Sequence, residues 1–181
     1  TRTHQVKHFL VNSDTNESFT QSHIYSIYQD KWRRLWLVTP KGLLLFDSEK
    51  ERLLDLPFSE QVNKLLSNEP YAAYLDGDSF LWVAIAEGIF RISLDAGDIS
   101  DLSKLNQALP ADKIFNILGY LPDSSTMLIS TNDSLWGYDT NSRDVKRLYH
   151  QQDILASEMP FIDSWAIDAQ GILWLGFSGK G

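Results

Sequence analysis

A tryptophan or leucine recurs at one point of an apolar segment at Trp36, Trp82, Leu128 and Trp174, each 46 residues after the last. Around these anchors the chain reads LWLVTPKGLLLFD from Leu35, LWVAIAEGIFRIS from Leu81, MLISTNDSLWGYD from Met127 and LWLGFSGKG from Leu173. The complete windows match in hydrophobic pattern without a gap. Equal steps of this length are the signature of a repeat architecture, in which each unit stacks on its neighbours to bury a shared core.

Within each unit the pattern divides into four short segments. An Asp stands six residues before three of the anchors, at Asp30, Asp76 and Asp168, each closing an apolar run: IYSIYQD, YAAYLD and FIDSWAID. The third copy, KIFNILGYLPDSS, departs by placing Asp123 one position later and Pro122 in the turn. After the anchor come a turn and a third segment. Gly42 and Gly88 suit that turn's need for positive φ, and Ser134 replaces them in copy three. A fourth segment follows at Glu51–Leu56, Asp98–Leu102 and Asp144–His150. Such short runs, rich in Ile, Leu, Val and aromatics and bounded by Gly, Asp, Asn, Ser and Pro, read as strands and not as helical repeats. The expected fold is therefore all-β, a β-propeller fragment of about 3.5 four-stranded antiparallel blades.

On this reading residues 24–56, 71–102 and 114–150 are three blades and 162–181 the first half of a fourth. VKHFL at 6–10 resembles DVKRLYH and reads as the outer strand of a preceding blade, so 1–181 is expected to be part of a larger propeller. Between the first two blades, SEQVNKLLSNEP (Ser59–Pro70) places Val62, Leu65 and Leu66 on one side and fits either a short helix or an irregular loop. The next connection, NQALPADK (Asn106–Lys113), is shorter and more polar, so no equivalent feature is expected there.

Charge and composition narrow the function. The net charge of -8, from 16 Lys+Arg against 24 Asp+Glu, is opposite to what a phosphate backbone selects, so no nucleic-acid partner is expected. With no cysteine, disulfides, thiolate metal sites and cysteine nucleophiles are excluded. His4 and His8 are four apart but fall in a strand-like segment, where that spacing does not make a metal pair. GFSGKG lacks the spacing and following helix of a phosphate loop. No catalytic constellation, metal site or cofactor is expected.

The repeat positions have structural explanations. Trp36, Trp82, Leu128 and Trp174 read as inter-blade packing, and Asp30, Asp76 and Asp168 as turn-fixing carboxylates that accept backbone N–H bonds. Aromatics that the repeat does not require are the better ligand-binding candidates. Trp32 lies in the turn sequence KWRR, Trp165 replaces Ile27 near an innermost strand, and Tyr25 and Tyr74 lie close to the same edge. Aromatic faces beside polar groups suit sugars.

Ile24, Ile27, Asp30, Leu35-Trp36-Leu37, Thr39, Gly42-Leu43 and Phe46-Asp47 together resemble the two-component regulator propeller repeat. Copy two repeats the pattern at Asp76, Leu81-Trp82-Val83, Gly88 and Ile89. Copy three keeps Ile129, Thr131, Leu135, Tyr138 and Asp139 but lacks the tryptophan and glycine. Copy four keeps Ile167, Asp168, Gly171 and Leu173-Trp174-Leu175-Gly176. The resemblance implies a segment of the periplasmic sensor of a Bacteroidetes hybrid two-component histidine kinase, within an inner-membrane-anchored protein. It implies an oligosaccharide ligand from polysaccharide breakdown, with the remaining blades and downstream domains of the parent chain as partners. The uncovered blade ends add a homodimer as a further expected partner. A propeller lyase or glycosidase and a ligand-free interaction propeller are the competing readings.

Overall fold

The computed structural model describes residues 23–77, 79–110, 116–122, 124–131, 133–150 and 162–177. The alternating apolar pattern around each anchor folds into an antiparallel meander. In the first, β1 (Ser26–Gln29), β2 (Arg34–Thr39), β3 (Gly42–Asp47) and β4 (Arg52–Leu54) lie side by side in chain order. Helix α1 (Glu60–Leu66) leads to the second sheet, β5 (Ala72–Asp76), β6 (Phe80–Ile85) and β7 (Gly88–Ser93). Helix α2 (Ser103–Ala108) leads to the third, β8 (Asn116–Tyr120), β9 (Thr126–Ser130), β10 (Ser134–Asp139) and β11 (Val145–His150). The last sheet is the pair β12 (Ile162–Ile167) and β13 (Leu173–Phe177).

This corrects the expected fold class. Among the described residues the chain is all-β in its sheets, but these are four separate antiparallel sheets of four, three, four and two strands, and none closes into a ring or curls strongly on itself. Ile24 just ahead of β1, Ile27 within it, Ile172 just ahead of β13 and Trp174 within it are all exposed. The second sheet also lacks a fourth strand. Gly97, with φ 74, turns the chain, and of the expected Asp98–Leu102 strand one bridge survives, between Ile92 and Ile99.

The connections differ from expectation as well. Ser59 caps α1 by accepting a hydrogen bond from the Val62 N–H, and Val62 and Leu66 point into the core. The second connection carries a helix too, α2, although its sequence suggested none. Both helices close the same turn in successive units. A Cβ on Gly42 would lie 2.9 Å from the Leu66 carbonyl oxygen, and one on Gly88 would lie 2.8 Å from Asn106 Oδ1. Both glycines have φ above 120°, so each is required twice over, by conformation and by the close approach of the following helix. Asn106 then pairs with Ile89 like a short strand, accepting from its N–H and donating to its carbonyl, each at 2.9 Å.

Three apolar clusters lie between successive sheets. Trp36, Val38, Leu43 and Leu45 of the first sheet meet Leu81, Val83 and Ile85 of the second. Trp82, Ala84 and Ile89 meet Ile117, Met127, Ile129 and Tyr138 of the third. Leu118, Leu128 and Leu135 meet Ile162 of the fourth, with Trp165 packed alongside. Trp36, Trp82 and Leu128 thus each face the sheet that follows, whereas Trp174 is exposed. The expected strand at 6–10, the pair His4 and His8, Asp123 and the end of GFSGKG lie outside the described residues.

Candidate functional site: an aromatic row along the inner strands

The carboxylates at the first turn of each unit act as clasps. Asp30 Oδ1 accepts from the Trp32 and Arg34 N–H groups at 3.0 and 2.9 Å. Its Oδ2 accepts from Arg34 Nε at 2.8 Å and Trp36 Nε1 at 3.1 Å. Asp168 repeats the arrangement, accepting from the Gln170 and Ile172 N–H groups and from Trp174 Nε1 at 2.7 Å. The Trp174 indole bond, followed by the backbone bonds, lowers the Asp168 pKa. These carboxylates are committed to fixing the turn.

Asp76 is different. Its Oδ2 accepts from the Tyr120 hydroxyl at 2.9 Å and from Arg91 Nη2 at 3.4 Å. Trp82, fully buried at the equivalent of Trp36, is left with an indole N–H that makes no hydrogen bond. The Arg91 guanidinium lies over the Phe80 ring at 3.5 Å and faces Trp82 at 5.4 Å.

The cause is a slip in β8. Tyr28, Tyr74 and Tyr120 stand 46 residues apart on β1, β5 and β8, the inner strands of the first three sheets, a second periodic series that the anchor-based reading missed although the spacing alone shows it. Tyr28 is paired across the sheet with Trp36, and Tyr74 with Trp82. In β8 the register shifts between Ile117 and Gly119, with Leu118 as the extra residue, and Tyr120 is paired with Met127. A one-residue shift turns a side chain to the opposite face. Tyr120 therefore looks back toward the second sheet, where it meets Tyr74 edge-on with ring centroids 6.3 Å apart. Burial, then the neighbouring Asp76, pushes the Tyr120 pKa up to about 12. Burial likewise raises that of Tyr74.

Of the four predicted ligand-binding aromatics, the structure brings two together. Gly119, at φ 127, has no side chain, and a Cβ there would lie 3.1 Å from the Tyr74 ring and 3.2 Å from the Trp165 ring. Tyr74 and Trp165 thus converge on one glycine from the second and fourth sheets, and Tyr120 is the next residue. The other two are apart. Tyr25, just ahead of β1, is 53% exposed, and Trp32 is 46% exposed in the turn at the strand's other end. Lys31 and Arg34 each stand over the Trp32 ring, at 4.4 and 4.5 Å. Tyr28 reaches the next sheet through a hydrogen bond from its hydroxyl to the Ala73 carbonyl.

The result is a row of partly buried aromatics, Tyr28, Tyr74, Tyr120 and Trp165, on the first strands of four consecutive sheets, each packed against an apolar cluster. The Tyr28 and Tyr120 hydroxyls are engaged by Ala73 and Asp76, so what the row presents is the exposed part of its rings, the chemistry that stacks on sugar rings. Among the described residues no group of three or more His, Asp or Glu is placed to hold a metal ion, and no helix is long and apolar enough to cross a membrane.

No protein-family model matches the chain, and no curated protein does. Solved structures with this fold are found. The extracellular domain of the one-component system BT4673 from B. thetaiotaomicron superposes with a TM-score of 0.63 and 15% identity, over 88% of this chain and 20% of that one. A second structure, of the extracellular domain of the hybrid two-component system BT4673 from the same organism, gives 0.60 and 14%, over 90% and 26%. The extracellular domain of the hybrid two-component system BT3049 from the same organism gives 0.59 and 16%, over 87% and 20%. The chain thus spans about a fifth to a quarter of the length of these domains.

Proposed function

We propose that this chain is a segment of the periplasmic sensor region of a Bacteroidetes hybrid two-component histidine kinase, and that it takes part in binding an oligosaccharide without transforming it. The observation that carries this reading is the convergence of Tyr74 and Trp165 on Gly119, continued by Tyr120 and Tyr28 along the inner strands. The likeness in fold to extracellular domains of such systems supports it. So does the employment of the repeat carboxylates. Glycoside hydrolysis needs two acids facing one bond, whereas Asp30 and Asp168 are saturated by backbone and indole donors and Asp76 is held by Tyr120 and Arg91.

The reading is tested by calorimetric titration of the parent sensor region with plant, host and microbial oligosaccharides, with Trp165→Ala and Tyr74→Ala alongside. Stacking of one sugar on one ring predicts about a tenfold loss of affinity in each variant, with no product formed from any oligosaccharide. Turnover, or affinity unchanged by both substitutions, overturns it.

A further inference from the structure

Away from the inner strands, the second and third sheets enclose a second site. Between β7 and β10 lies a cleft of about 100 Å³ whose walls include Arg91, Arg143, Ser100, Thr140, Tyr138 and Asp101. Two arginines reach it, and neither is matched to a good acceptor. The Arg91 guanidinium makes one hydrogen bond, the long 3.4 Å contact to Asp76, and its Nε is buried with no partner. Arg143 comes within 3.9 Å of Asp101, too far for a hydrogen bond. Asp101 is itself engaged, accepting from the Ser103 N–H at 3.0 Å.

A guanidinium offers five N–H donors in a planar fork that matches an oxyanion. The Arg91 Nε–H is a buried donor without a partner, where such groups are ordinarily satisfied, and the largely exposed Arg143 brings a second fork and its charge to the same small cleft. The Tyr138 phenol adds a further donor, since burial raises its pKa and keeps it protonated. The volume admits one compact group and no sugar ring.

We infer that the cleft between β7 and β10 binds a single carboxylate or sulfate group, held between Arg91 and Arg143. The inference deepens the sensor proposal, on which it rests for the nature of the ligand: the saccharide recognised is an acidic one. The site itself stands on the arginines.

The test is NMR titration of the chain at constant ionic strength with sodium sulfate, D-galacturonate, acetate, D-galactose and sodium chloride. Saturable shifts of the Arg91 and Arg143 Nε–H resonances with sulfate and galacturonate, absent with chloride, are the expected result. Arg143→Asn keeps a residue tolerant of the φ of 61° found there and should weaken binding about tenfold. Arg91→Lys, which keeps the charge but loses the fork, should weaken it as well, and Arg143→Asn decides the matter if Arg91→Lys fails to fold. Sulfate binding with galacturonate no tighter than acetate supports the site and removes the acidic-sugar reading. Galactose binding that is unaffected by Arg143→Asn leaves the sensor proposal standing and overturns the cleft. Equal shifts with chloride, or wild-type affinity in Arg143→Asn, also overturn it.

Discussion

The hydroxyl of Tyr120 donates to Asp76 across the interface between the second and third sheets, at 2.9 Å, and so occupies the carboxylate oxygen that in the first and last units receives the anchor indole. Trp36 and Trp174 keep their carboxylate partners, while Trp82 does not. The repeat has exchanged a bond within a unit for one between units. Tyr120→Phe should therefore lower stability by about 1 kcal/mol, the usual net worth of such a bond, with part regained if Asp76 turns to Trp82. Urea denaturation gives the first quantity, and the Trp82 indole N–H chemical shift reports the second. Stability unchanged with that resonance unmoved would show that the bond couples nothing.

The same residue sets an alkaline limit. The folded Tyr120 pKa is pushed up to about 12, above the unfolded value of about 10, so folding favours the protonated phenol. Its contribution is complete below the unfolded value and is lost as pH rises through the folded one. Stability should be flat toward neutral pH and fall above about pH 10. Tyr120→Phe should make that fall shallower without abolishing it, because Tyr74 and Tyr138 are shifted in the same direction. Denaturation midpoints across this range check it, and identical slopes in variant and parent would count against it.

Equivalent tryptophans should respond unequally to truncation. Trp82 is 0% exposed, and Trp82→Ala should destabilise by about 3–5 kcal/mol through cavity formation. Trp174 is 60% exposed, and Trp174→Ala should fall within about 1 kcal/mol despite losing the bond to Asp168. Chemical denaturation of the two variants side by side is the measurement. Equal losses would mean that sequence equivalence and not burial governs the energetics.

Gly119→Ala places a methyl group 3.1 Å from Tyr74 and 3.2 Å from Trp165, at a φ of 127° that alanine rarely adopts. The strain alone should amount to about 1–3 kcal/mol, and the two rings should be forced apart. A shift of the denaturation midpoint together with changed Trp165 fluorescence is expected. A wild-type midpoint would show that β8 relaxes freely at this point.

Much of the architecture is legible in the sequence because the anchor spacing is strict and each strand alternates. The capping serine and apolar face made α1 visible as one of two alternatives. Helix α2 was hidden because Ser103–Ala108 has no side-chain cap bond and one buried residue, Leu105. The propeller class was a wrong inference from period alone, since a period specifies how neighbours stack but not the architecture that the stack builds. At the candidate site, Tyr74 and Trp165 could be named one by one, yet their meeting depends on the missing side chain of Gly119. The reversal of Tyr120 was beyond pattern reading. The sequence signal was there in the displaced Asp123 and Pro122, but which residue the strand leaves over is decided by packing.

The slip in β8 has a consequence for how freely such units could be shuffled. Residues 46 apart are interchangeable by pattern, but the contact between the second and third units is not interchangeable with the one before it. The first depends on Trp36 stacking against Phe58 at 5.9 Å behind a saturated Asp30. The second depends on Tyr120 inserting from the other side. Excising one full period, so that the first unit abuts the third, would set Tyr120 against an aspartate whose oxygens are already taken. A chain shortened by one unit would keep its periodicity and lose its fit, so the order of these units is part of what the sequence specifies.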